Sequence, residues 1–316
     1  MKIGLFSVSK TITSWFIDNT DMMYVLKEMK KIGIPVKKWD WILLPIEWIK
    51  PSQKSTDINT FFQDPDINIT WAITWWFWSN EILDYIDYNS YKRSDKLICG
   101  FSDVSVLLNA IYSKTWRLAL HSPNLKTLSK KYPNQIDSIN DFILKIDLFW
   151  RKDFSFSFTN HKSYFDPTAN ETIEDWWMKF LHEWNASGIV VWWNLSWVNL
   201  LIWTNYEINF DGKILFLEEC DEFSIWIIRR NLFQIASQKS AKWLRWIVFW
   251  RVNKACYKDY DLTLERALLD AFGSLNIPII MNAPFWHVSV NEWFFIGSRC
   301  DIVSNNDVPD IMFSNI

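Results

Sequence analysis

The sequence predicts an α/β protein of two domains, and three observations carry that prediction. Short apolar runs alternate with helically spaced stretches through residues 1–125, the rhythm of a parallel sheet with helices on its faces. From about residue 171 the pattern changes to more frequent strand-like runs with two amphipathic helices, which predicts a mixed, β-rich α+β domain over 171–316. A chain of 316 residues also suits two cores better than one. Residues 126–170, polar and rich in Ser, Asn and Lys, read as an irregular connecting segment.

In the first domain, residues 2–8 read as a strand. Met22, Met23, Val25, Leu26 and Met29 then trace one face of a helix over 20–32, which ends at Gly33. Residues 35–37 and 67–74 read as strands around a helix near 56–63, and Ser79-Asn80 as the cap of a helix over 81–87. A strand over 96–100 runs into a helix over 104–114. In the second domain the strands are expected at 189–191, 213–217, 247–250, 278–282 and 294–296, with helices at 227–237 and 263–273.

Bulk composition excludes several functions. A net charge of −3 with both signs interspersed offers no basic patch for nucleic acid. No apolar run is long enough to span a bilayer, and the first ten residues turn polar too soon for a signal peptide. Cys99, Cys220, Cys256 and Cys300 are widely spaced, so neither a zinc site nor a disulfide framework is expected; reduced thiols in a cytoplasmic protein are. Neither GxGxxG nor GxxxxGK[ST] occurs, which argues against a nucleotide or flavin module, and no cofactor is expected.

One feature of composition is abnormal: 23 Trp against 7 Gly. Gly ordinarily supplies about 7% of a chain, roughly 22 residues here. Trp stands where a tight turn is expected, at Trp75, Trp76 and Trp78, at Trp192 and Trp193, and at Trp286 before His287. The sequence therefore predicts that most of these codons are UGA, read as Gly in the source organism.

The sharpest chemical signal is Gly100-Phe101-Ser102-Asp103-Val104, an apolar strand entering a helix through a short turn. A serine there projects its hydroxyl beyond the sheet, and the next N–H and the helix start favour a developing oxyanion. The second Gly of G-x-S-x-G is missing, with Val104 in its place, and a Ser at a helix start also serves as an N-cap, so both readings stand. A serine nucleophile needs a base, for which His121 and His287 are candidates, while His161 and His182 fall in polar stretches expected at the surface. An orienting acid is expected from Glu218, Glu219, Asp221 or Glu222, directly after a buried strand.

Reading Gly at positions 75, 76, 78, 192, 193 and 286, five ordered segments resemble the LD-carboxypeptidase family of serine peptidases, which includes the microcin C self-immunity peptidases. These are Thr74 to Asn80, Gly100 to Asp103, Val191 to Ser196, Leu215 to Glu218, and Phe285 to His287. The resemblance covers roughly residues 1–303. It implies a flavodoxin-like N-terminal domain, a C-terminal β-rich domain, a site between them, a cytoplasmic location and a homodimer. By motif it implies Ser102 as nucleophile, Glu218 as acid and His287 as base, with an oxyanion hole from the backbone N–H groups of Asp103 and Trp76. Phe77, Asn80 and Asn194 would line the substrate, either a small peptide such as a peptidoglycan tetrapeptide or a peptidyl-nucleotide. The same likeness makes Trp177 a true Trp, and Lys54 stands where the family usually has Arg.

Overall fold

The computed structural model describes residues 1–7, 19–38, 49–73, 79–125, 139–151, 154–166, 170–174, 177–182, 185–219, 224–250, 262–285, 291–305 and 308–315. The first sheet contains β1 (Ile3–Phe6), β2 (Val36–Lys38), β3 (Ile69–Ala72), β4 (Leu97–Gly100) and β5 (Ala119–His121), all parallel in the order β5-β4-β3-β1-β2. The intervening helices are α1 (Asn19–Lys31), α2 (Pro51–Gln63), α3 (Tyr88–Arg93) and α4 (Val104–Thr115). β1, β3, β4 and β5 are buried residue by residue, as expected of parallel strands covered on both faces.

Two local expectations change. The segment after Ser79 forms a 3-10 turn over Ser79–Tyr85, and the true helix there is α3, capped by Asp87, whose side chain accepts from Ser90 N at 2.9 Å. The connecting segment is not irregular throughout. It contains α5 (Ile139–Arg151) and the short strands β6 (Ser155–Ser157) and β7 (Tyr164–Asp166), the latter paired with β8 (Glu171–Ile173).

The second sheet is built on four parallel strands, β10 (Ala186–Asn194), β11 (Lys213–Glu218), β12 (Trp246–Trp250) and β13 (Ile279–Ala283). β9 (Lys179–His182) pairs antiparallel with β13. On the other side β10 pairs antiparallel with β15 (Arg299–Asn305), followed by β16 (Val308–Ser314) and β6. The helices α6 (Leu195–Val198), α7 (Ile225–Ala236) and α8 (Leu264–Phe272) follow β10, β11 and β12 in turn.

β14 (Phe294–Ile296) is a strand, as the sequence predicts, but it does not join the second sheet. It pairs antiparallel with β5 and completes the first sheet as a sixth strand. The two sheets are further joined by α4, which is apolar nearly all round and buried nearly all round. Its Asn109 donates Nδ2 to the Ser105 carbonyl at 2.8 Å and also to the Trp192 carbonyl on β10. One apolar cluster runs without interruption from Val104, Leu107 and Ile111 of α4 to Val190 and Phe216 of the second sheet.

Candidate active site

Ser102 follows the carboxyl end of β4 and sits directly before α4. Its φ is +64°, in the left-handed region that side-chain-bearing residues rarely enter, and it is 5% exposed. The turn is tight because Gly100 has no side chain: a Cβ there would lie 2.7 Å from Val104 Cγ1 and 3.1 Å from Ala72 Cβ. The N-cap of α4 is Asp103, so the Ser102 hydroxyl caps no helix; it is the Ser102 carbonyl that accepts from Ser105 N, at 2.8 Å. Strain held on a serine whose hydroxyl makes no hydrogen bond among the described residues favours the nucleophile reading over the cap. The Asp103 carboxylate accepts from Ser79 Oγ at 2.7 Å, and both residues are buried, so the start of α4 is tied to the segment leaving β3.

Glu218 ends β11 and lies opposite Asn194, the last residue of β10. Asn194 caps α6, its Oδ1 accepting from Ser196 N and Trp197 N at 3.2 Å each. That cap orients the amide so that Nδ2 faces the acids, 3.3 Å from Glu218 Oε2 and 3.5 Å from Glu219 Oε1. Glu219 also accepts from Ser196 Oγ at 2.6 Å, and Ser196 accepts from Asn231 Nδ2 at 3.3 Å. Glu218 is fully buried, and its Oε1 has no hydrogen-bond partner among the described residues. Burial, and next the charge of Glu219, push the Glu218 carboxyl well above the usual carboxylate range, against the opposing hydrogen bond from Asn194. An acid so placed is suited to a cationic partner, which would restore its ionised form.

The structure thus brings Ser102, Asp103, Asn194 and Glu218 to the carboxyl ends of β4, β10 and β11, with α4 docked against β10. Trp76, Phe77 and His287 lie outside the described residues, as do Asp221 and Glu222. Asn80 is exposed in the 3-10 turn. Of the other histidines, His121 is fully buried in an aromatic cluster. His161 and His182, expected at the surface, are half-buried and bonded, the former to Glu292 at 3.2 Å and the latter to the Ile277 carbonyl at 3.0 Å. Lys54 is structural: it is nearly buried and ion-paired with Glu81 at 3.0 Å. Glu219 was already a candidate acid; Ser196 and Asn231, which are linked to it, are the residues around Glu218 that sequence reasoning missed. The place of Ser196 at the end of the Val191 to Ser196 motif is the one signal that could have pointed to it.

A two-domain α/β architecture, with a serine elbow on one sheet and a buried acid on the other, defines a hydrolase-like class. Comparison with known proteins identifies it. Residues 3–122 match the family profile of the LD-carboxypeptidase N-terminal domain, and residues 187–302 that of the LD-carboxypeptidase C-terminal domain. The chain belongs to this family of peptidases. A provisionally named carboxypeptidase of Treponema pallidum is 28% identical over 75% of this chain and 70% of its own length. The similarly named YocD of Bacillus subtilis is 28% identical over 78% and 76%. Among solved structures, the wild-type microcin C7 self-immunity protein MccF superposes with a TM-score of 0.88 at 18% identity, covering 100% of this chain and 96% of that one. A muramoyltetrapeptide carboxypeptidase from Oxalobacter formigenes reaches 0.77 at 17%, covering 100% and 99%. These likenesses show the fold. Among the described residues no helix is long and apolar enough to cross a membrane.

Proposed function

We propose that the protein is a cytoplasmic serine peptidase that hydrolyses an amide, releasing the terminal D-Ala from peptidoglycan tetrapeptides. The observation that carries this reading is the strained elbow: Ser102 at φ +64°, between β4 and the first turn of α4. The elbow aims the hydroxyl beyond the strand ends, and the helix start supplies partial positive charge where an oxyanion would form.

In this reading His287 takes the Ser102 proton as Oγ attacks the amide carbonyl. Glu218 holds the imidazole through Oε1 and stabilises its cation, so the raised affinity of Glu218 for a proton becomes affinity for the imidazolium. The tetrahedral oxyanion is met by the backbone N–H of Asp103 and one from position 76. Collapse expels the amine with the proton from His287, and water then releases the acyl group by the same steps in reverse. An indole at positions 76 and 286 would obstruct this space, so the active form carries Gly there. Asn194, Phe77 and Asn80 contact the substrate, and the protein works as a homodimer without a cofactor.

A second reading has one specific support: the likeness to MccF is closer than that to the tetrapeptide enzyme, at TM-scores of 0.88 and 0.77. MccF has been solved with aspartyl sulfamoyl adenosine and with glutamyl sulfamoyl guanosine. The substrate would then be an aminoacyl or peptidyl nucleotide. D-Alanine release from an L,D-tetrapeptide by the Gly-restored chain, beside a Ser102→Ala control, decides between them. Release that disappears in the control supports the carboxypeptidase, and no release from folded protein transfers the assignment to nucleotide amides.

A further inference from the structure

Glu219 is a second buried acid that the mechanism above does not use. Successive residues of a strand face opposite sides, a pattern that would turn its carboxylate away from that of Glu218. β11 ends at Glu218, however, and Glu219 lies just past it. Both side chains reach the same amide, Nδ2 of Asn194, and both residues are fully buried. Two carboxylates side by side out of water repel each other, so the arrangement persists only where other groups hold it.

The hydrogen bonds around the pair run in one direction. Asn194 Oδ1 is committed to the backbone N–H groups of Ser196 and Trp197, so the opposite end of the amide is its NH2 group, with two protons for two acids. The other oxygen of Glu219 accepts from Ser196 Oγ at 2.6 Å. A hydroxyl has a single proton. Ser196 gives it to Glu219 and accepts in turn from Nδ2 of Asn231, a buried residue of α7, at 3.3 Å. The chain of donors thus leads from Asn231 through Ser196 to Glu219, and both Glu219 oxygens receive hydrogen bonds, which holds negative charge there. Glu218 receives its bond from Asn194 on Oε2, while Oε1 has no partner among the described residues.

We propose that Glu219 is a positioning residue for Glu218: clamped by Ser196 and Asn231, it fixes the Asn194 amide from one side while Glu218 Oε2 takes it from the other. The inference rests on the reading of Glu218 as the acid of the triad. It assigns Glu219 no proton transfer. The charge held on Glu219 also favours a cation over a neutral group at Glu218 Oε1, so one device sets both the orientation of the acid and what it binds.

NMR of the full chain labelled with nitrogen-15 at asparagine tests the clamp without a substrate. The Asn194 side-chain amide pair is identified by its loss in Asn194→Asp. Ser196→Ala and Asn231→Ala remove bonds that do not involve that amide nitrogen. Each is expected to shift the Asn194 pair and to speed its proton exchange with solvent about fivefold, the worth of one hydrogen bond. Ser196→Thr, which keeps the hydroxyl, restores the pair. An unmoved pair in folded Ser196→Ala and Asn231→Ala overturns the positioning role, even if both variants melt earlier. Turnover of an L,D-tetrapeptide or an aminoacyl sulfamoyl adenosine by the Gly-restored chain reads the acid itself. Glu219→Gln should lower kcat by about 10- to 10²-fold with KM little changed, and Glu218→Gln should lower it further. Full turnover in Glu219→Gln, with Glu218→Gln impaired, overturns the inference alone. Full turnover in Glu218→Gln, or none of either substrate in the unsubstituted chain, overturns the triad reading and this inference with it.

Discussion

Replacing Trp203 by Gly is expected to stabilise the protein, although it deletes the largest side chain. Trp203 sits in the turn after α6 with φ +64° and is 84% exposed. Holding a side-chain-bearing residue in the left-handed region costs about 1–2 kcal/mol. Gly removes that strain and returns about 0.5–1 kcal/mol through greater freedom of the unfolded chain. The exposed indole contributes little to offset, and the backbone bond from Trp203 N to Glu207 Oε2, at 2.6 Å, survives the change. The net gain is roughly 0.5–1 kcal/mol, read as a rise of roughly 1–4 °C in a thermal melt. Trp203→Ala is the control: it keeps the strained backbone and should gain nothing. A lower Tm for Trp203→Gly, or an equal rise for Trp203→Ala, would refute the backbone argument. Trp71 marks the opposite case, fully buried with Nε1 donating to the Pro123 carbonyl at 2.9 Å, and Trp71→Gly should cost at least about 3–5 kcal/mol. We propose that these two sites separate recoded from genuine tryptophans. Trp192 and Trp246 join the recoded class, being fully buried with indole N–H groups that find no partner among the described residues. A peptide mass from the native organism showing Trp at 203 and 246 would refute the assignment.

Gly100→Ala drives a methyl to 2.7 Å from Val104 and should open the elbow, costing about 1–3 kcal/mol and at least 10²-fold in kcat, measured by turnover and melting together. Asn194→Ala removes the α6 cap and the bond to Glu218. About 1 kcal/mol of stability and a fall in kcat exceeding any rise in KM are expected from steady-state kinetics. Asp57, buried on α2 with an Oδ1 that has no partner among the described residues, has its carboxyl pushed up to about 7 by burial. The folded state therefore holds a proton that the unfolded chain releases above about pH 4. Stability is present below that pH and is lost by up to about 1.4 kcal/mol per unit as pH rises toward 7. Asp57→Asn should accordingly raise the Tm at pH 8 and leave it unchanged at pH 4.

The apolar runs that become β4, β10 and β11 were legible because parallel strands covered on both faces must be continuously apolar, whatever stands at the turns. Ser102 was legible for a related reason: Gly and Ser between a buried strand and a helix leave few backbone routes. Whether Ser102 caps α4 was not resolvable from sequence, since it depends on the backbone geometry that makes Asp103 the N-cap. β14 could be found as a strand but not placed, because three apolar residues carry no information about which sheet they join. Glu219 was legible as a candidate acid, but the Glu219–Ser196–Asn231 set was invisible for a similar reason. Its members lie on a strand end and two helices, and only the register of Asn194 on Glu218 gathers them.

The placement of β14 also explains how a site divided between two sheets can be precise. Ser102 is strained and Glu218 is buried with an unmet oxygen, and neither arrangement would persist in a separate domain free to relax. Both are held by contacts that cross between the sheets: Asn109 of α4 on the backbone of β10, and β14 on the edge of β5. Docking of the sheets and assembly of the site are therefore one event. A hinge between the two sheets would break the hydrogen bond from Asn109 to β10 that holds α4, the helix that follows Ser102.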